Sequence, residues 1–187
     1  TDGGGNLAFA TPSSADMVLL QTLTPSGAAT ADFTAFDNAT YTTYFITIAA
    51  LVSASATKSM FWRHSTDGGS NFAASNAYFE HKSDNADTGS TVIENFSENQ
   101  IKFSYVGGAA GTANPGAHSA QMWIHNAGNA ASGTYVDFRS GVYRSGSTMG
   151  HMEGWGQVIA AEDTDACRIL FSAGNITSGT LKLYGLK

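Results

Sequence analysis

The stretch Arg63 to Phe72, RHSTDGGSNF, is a polar turn set between two apolar runs, and its reading decides which all-β architecture the chain can adopt. Within it the Asp67 carboxylate can accept backbone N–H groups, Gly68 and Gly69 can take positive φ, and Phe72 can pack beneath. This predicts a structural turn at Asp67, Gly68 and Gly69, forming a hairpin between the run that ends at Ser65 and the run that starts at Phe72. In the run before the turn, Met60 and Trp62 share one strand face while Phe61 takes the other.

Outward from this turn the chain repeats the same grammar: short runs of β-type residues separated by Gly, Asn, Asp and Ser clusters, with no sustained 3.6-residue period. The clearest runs are Tyr41 to Val52, Lys58 to Ser65, Phe72 to His81, Gln100 to Val106, Ala117 to His125, Tyr135 to Tyr143, Met149 to Ala160, Cys167 to Phe171 and Gly179 to Leu186. Weaker ones lie near Val18 to Leu23, Asp32 to Phe36 and Thr91 to Phe96. The expectation is an all-β antiparallel sandwich, jelly-roll-like, of about ten to twelve short strands over residues 17–187, preceded by a flexible N-terminal arm over 1–16. Loops are expected at Asp84 to Ser90, Gly107 to Gly116, Asn126 to Gly133, Ser145 to Gly150, Ala161 to Ala166 and Ala173 to Ser178. The Gly/Ala-rich Gly107 to Gly116 is the candidate contact loop.

The S-x-D-x-G-x-x-F pattern also resembles the Asp box of sialidase propellers, which ends in Trp. In propellers the box recurs once per blade, whereas here it stands once and no fixed-period repeat accompanies it. Arg63, Arg139, Arg144 and Arg168 are spread over different runs, so no arginine cluster of the sialidase kind is written into the sequence. The turn therefore reads as architecture rather than as an enzyme signature.

Composition narrows the function classes. The 187 residues are 42% hydrophobic, enough for one core without metals or disulfides. Only 13% are charged, and a net charge of −6 with nine scattered Lys and Arg argues against a phosphate-backbone partner. No run approaches the roughly 18 apolar residues of a membrane span, and no basic n-region opens the chain, so neither membrane insertion nor a signal peptide is expected. Cys167 alternates inward with Ile169 and Phe171 and reads as a buried, inert thiol.

Catalytic and metal chemistry are thinly represented. His151 and Glu153 share a strand face but lack a second ligand pair, and no G-x-S-x-G elbow is present. The acidic turns Glu162 to Asp165 and Asp84 to Gly89 offer oxygen ligands without matching a defined calcium loop. No cofactor, metal or catalytic residue is expected, and the sequons at Asn38, Asn95 and Asn175 carry no weight in an Asn-rich chain.

Glycan contact suits the composition better. It needs aromatic platforms for the apolar faces of sugar rings and fixed polar groups for their hydroxyls. Trp62, Trp123 and Trp155, with His125 beside Trp123, are the candidate glycan-binding residues, each weighed against a role in core or subunit packing. Trp155 lies in Gly154-Trp155-Gly156, whose glycines favour close packing. Large apolar residues on both faces of single runs, as where Met122 and Ile124 oppose Trp123, suggest a homo-oligomer, because a two-sheet sandwich buries one face per sheet.

Three segments, ADFTAFDNATYTTYFITI at Ala31 to Ile48, FWRHSTDGGSNF at Phe61 to Phe72 and ILFSAGNITSGTLKLYGLK at Ile169 to Lys187, resemble β-sandwich domains of bacteriophage tail-fibre and related virion fibre proteins. The resemblance implies a trimeric, jelly-roll-like virion surface module that contacts other virion proteins and host-surface glycans, with no catalytic residues to carry over. The absence of a coiled-coil shaft or β-helical repeat points to a distal fragment or a small virion protein used whole. A structural capsid or tail decoration protein, and a carbohydrate-binding module of a bacterial extracellular enzyme, are the alternatives.

Overall fold

Alternation of buried and exposed residues dictates two sheets with one core between them. The computed structural model describes residues 16–72, 77–85, 89–104, 116–143, 149–158 and 162–187. Among these are twelve strands and no helix: β1 (Met17–Leu23), β2 (Thr30–Phe33), β3 (Thr43–Ser53), β4 (Met60–Ser65), β5 (Ala77–Asn85), β6 (Gly89–Glu98), β7 (Ile101–Lys102), β8 (His118–His125), β9 (Tyr135–Tyr143), β10 (Met149–Val158), β11 (Ala166–Phe171) and β12 (Ile176–Leu186). The larger sheet runs β1-β12-β3-β8-β9-β10-β5-β6 and the smaller runs β2-β11-β4-β7. Every pairing is antiparallel, and the chain is an all-β antiparallel sandwich.

The core follows the alternation. From the smaller sheet come Phe33, Met60, Trp62, Ile101, Ile169 and Phe171; from the larger come Tyr44, Ile46, Met122, Ile124, Phe138, Met152, Leu181 and Leu183, all buried. Cys167 is buried among them as expected, and burial pushes its thiol well above the usual thiol range, which leaves it unreactive.

Register along the centre of the larger sheet is pinned by facing irregularities. β3 bulges between Ile48 and Leu51, where Ala50 has φ 52°, and β12 shifts register around Ser178 opposite it. Gly179 sits in that shift with φ 133°, and a Cβ there would lie 2.7 Å from the Leu51 Cα. Glycine is required at 179 on both grounds.

The turn at Asp67 is built as its chemistry predicts. Asp67 Oδ1 accepts from the Asn71 N–H at 2.8 Å, Oδ2 accepts from Asn71 Nδ2 at 2.7 Å, and Gly68 and Gly69 have φ 68° and 87°. These bonds hold the Asp67 carboxyl below the ordinary carboxylate range. Phe72 lies against Gly69 and under the Arg168 guanidinium, whose carbon is 3.9 Å from the ring centroid. The expected hairpin is not formed. β4 belongs to the smaller sheet and β5 to the larger, so this turn begins a crossing between layers. Its partner is the 162–165 connection, where the Asp165 carboxylate accepts from the Gly68 N–H at 3.0 Å. The expectations for residues 1–15, 105–115 and 144–148 lie outside the described residues.

Candidate functional site

Two sheet faces point away from the core, and they differ. On the smaller sheet the outer face is met by the chain itself: Arg168 binds Asp32 through two bonds of 2.8 and 2.7 Å beside Phe72, and Arg63 reaches Gln100 at 3.0 and 2.9 Å. The larger sheet presents an outer face that is open over β8, β9 and β10, and the candidate site lies there.

Cross-strand register sets the row that defines it. Leu19 pairs with Tyr184, Tyr184 with Phe45, Phe45 with Trp123, Trp123 with Asp137, and Asp137 with Trp155. Because these positions alternate with the buried residues of their strands, the side chains share the outer face. Trp123 leans on Phe45 with centroids 4.4 Å apart and lies nearly parallel to the His125 ring at 10° and 6.5 Å. Trp155 is 41% exposed. Trp123 and Trp155 flank Asp137 on adjacent strands, which places their Cα atoms about 10 Å apart at twice the strand spacing.

Polar groups converge between the two indoles. His125 Nε2 is 2.6 Å from Asp137 Oδ2, and Arg139 Nη2 is 3.4 Å from Glu153 Oε2. The first contact holds the Asp137 carboxylate in place. The second is long for a charge-assisted bond and largely solvent-exposed, so it contributes little to stability. An open depression of about 470 Å³ lies over Gln121, Trp123, Asp137, Arg139, Glu153 and Trp155. A second, of about 350 Å³, adjoins it, shares Gln121 and Arg139, and reaches Ser119, Gly141 and His151. Both lie on the outer face of β8, β9 and β10.

The candidate residues of the sequence reading separate on this frame. Trp123, Trp155 and His125 come together on the outer face. Trp62 does not: its side chain is fully buried on the core face of β4, paired through the backbone with Ile169 and Ile101. The reason is the alternation itself, since Arg63 must face solvent and Trp62 therefore faces in. Trp155, expected to favour packing, is exposed. His151 and Glu153 do share a face, with Glu153 turned to Arg139. Among the described residues no three His, Cys, Asp or Glu side chains gather as a metal site. Asp137, Gln121 and Gly141 were not singled out from the sequence, and Arg139 only as one of four dispersed arginines. The signal for them was the outer-face series Gln121-x-Trp123-x-His125, Asp137-x-Arg139-x-Gly141 and His151-x-Glu153-x-Trp155, which repeats polar and aromatic residues at strand period.

No family model matches the chain, and no curated protein sequence does. Among solved structures, the chain is similar to a double mutant of the alginate lyase Aly36B in complex with alginate trisaccharide, at 8% identity over 96% of this chain and 95% of that one, with a TM-score of 0.31. A glycosyl hydrolase family protein from Mycobacterium fortuitum follows at 9% identity, 89% and 68% coverage and a TM-score of 0.24. An infectious bursal disease virus VP2 subviral particle gives 7% identity, 98% and 44% coverage and a TM-score of 0.14. At these identities and TM-scores none of them carries an argument about what this chain does.

Proposed function

We propose that this chain is a non-enzymatic glycan-binding module whose ligand lies on the outer face of the larger sheet. The observation that supports it is the row Trp123, Asp137, Trp155: a half-buried and an exposed indole flanking a carboxylate held in place by His125. An indole face takes the C–H side of a sugar ring, and a fixed carboxylate accepts hydroxyl protons, so the row offers two stacking platforms with an acceptor between. Asp137 and Glu153 are 53% and 41% exposed, outside the dry setting in which a carboxylic acid is prepared for glycosidic cleavage.

The test is titration of the purified chain with an array of bacterial envelope oligosaccharides, repeated on Trp155→Ala. Trp155 is 41% exposed, so its removal is expected to lower the melting temperature far less than emptying a buried tryptophan site would. Affinity should fall at least tenfold, about 1.4 kcal/mol. Undiminished binding by a Trp123→Ala/Trp155→Ala double variant would remove this face from the reading, and a native chain that bound nothing would remove the reading itself.

The setting we propose is the one its sequence resemblance implies, a trimeric module on a phage virion that contributes to host attachment. Three weak sites on one particle gain roughly 10²–10⁴ in avidity when they engage together. Light scattering on the chain should show a trimer that persists on dilution. A clean monomer would overturn the fibre-like setting and leave a single-site carbohydrate-binding module.

A further inference from the structure

Gly141 is the residue on this face that the fold does not require. It lies in the interior of β9, where glycine costs roughly 0.5–1 kcal/mol relative to a residue with a side chain. Its backbone is not in the left-handed region, and a Cβ built on it would meet nothing within 4 Å. Neither strain nor crowding explains the missing side chain. What the missing side chain does is keep open the 350 Å³ depression between Ser119 and His151, its cross-strand partners.

That depression continues the tryptophan groove. Along β8 the outer positions are Ser119, Gln121 and Trp123, so the Gly141 row and the indole row lie four residues apart, about 13 Å at strand rise. Arg139 and Gln121 form the wall common to both depressions. The electrostatics differ between the two ends. The indole end carries Asp137 and Glu153, whereas among the described residues no carboxylate lines the Gly141 end and Arg139 supplies its charge. The one bond of Arg139 among the described residues is the 3.4 Å contact with Glu153, which leaves most of its planar set of donors for a ligand, and a guanidinium takes a carboxylate with two parallel bonds.

We infer that the bound glycan is an acidic heteropolymer running along the strands, with a neutral sugar on the indoles and a uronic acid seated in the Gly141 depression against Arg139. The inference rests on the glycan-binding reading and specifies its ligand. It is tested with two probes, a neutral glucose tetrasaccharide and a tetrasaccharide in which glucose alternates with glucuronate, titrated by NMR into the native chain, Gly141→Val and Arg139→Gln.

The native chain is expected to bind the acidic probe at least tenfold more tightly than the neutral one. Gly141→Val fills open space with a residue that suits a strand, so it should melt no lower than the native chain and should bring the acidic affinity down to the neutral level. Arg139→Gln should do the same without filling the depression, and it loses only an exposed ion pair. Equal affinity of the native chain for both probes, or an acidic preference that survives Gly141→Val, would overturn the uronate subsite while glycan binding stood. Failure of the native chain to bind either probe would overturn both.

Discussion

Trp62→Ala is expected to lower the stability of the chain by about 3–5 kcal/mol, the range for emptying a buried aromatic site. The side chain is fully buried and stacks on His64 at 22° with centroids 6.1 Å apart. Its strand is held between β11 and β7, so neighbouring backbone has little freedom to collapse into the space. Against a typical domain stability of about 5–15 kcal/mol this is a large fraction, and the melting temperature should drop by on the order of 10 °C. The indole N–H works the other way. It has no geometric hydrogen-bond partner among the described residues, with only the weakly accepting Cys167 thiol beside it. Trp62→Phe keeps most of the ring and removes that unsatisfied donor, so its cost should be less than half that of alanine. Thermal melts of the two variants decide the point. An alanine variant that melted within a degree or two of the native chain and lost glycan affinity instead would place Trp62 on the surface.

The contrast among the tryptophans shows how much of the site was legible. All three stand in alternating strands, and alternation alone states that two faces exist without stating which is buried. Charged and amide neighbours two residues away supply the missing sign. Glu153 shares the face of Trp155 and Gln121 shares that of Trp123, which marks both faces as wet. Trp62 instead has Arg63 on the opposite face, which marks its own as dry. His64, two residues from Trp62 and itself buried, blurred the distinction, because a histidine is polar enough to suggest solvent and small enough to enter a core.

Strand positions were readable because they depend on local pattern and turn chemistry. β8, β9 and β11 fall within a residue of the expected runs, and the Asp67 turn has the bonds its residues imply. Sheet membership was not readable. The step from β4 to β5 looked like a hairpin because a tight turn joined two apolar runs, yet Asp165 and Arg168, far away in sequence, hold that turn and its Phe72 as the start of a crossover. Such a choice is made by contacts between distant segments, about which a local pattern carries no information. The same holds for the Trp123, Asp137, Trp155 row, which exists only once β8, β9 and β10 are in register.

Acid should destabilise the fold in a pH range above that in which carboxylates dominate, because two buried histidines have ring nitrogens without hydrogen-bond partners among the described residues. His118 is 1% exposed, packs on Phe171 with centroids 5.2 Å apart, and its Nδ1 has no partner among the described residues. Burial pushes its pKa down to about 4 from an ordinary 6.5. His64 is 2% exposed with neither ring nitrogen partnered among the described residues; burial lowers its pKa as well, while Glu162 and Asp165 pull weakly the other way. The unfolded chain protonates His118 at ordinary pKa and the folded chain resists, so the unfolded state binds more protons between about pH 6.5 and pH 4. Stability is therefore fully present above about pH 6.5 and falls as pH is lowered toward 4, by on the order of 3 kcal/mol from His118. Asp67, whose pKa is lowered by its turn bonds, loses its contribution only further down. Urea unfolding at one protein concentration, at about pH 7.5 and about pH 4.5, should show the native chain weaker at the lower pH by on the order of 2–3 kcal/mol. His118→Gln should show a clearly smaller difference, with His64 supplying what remains. A native chain equally stable at the two values would mean that these rings reach water or a carboxylate in the folded state.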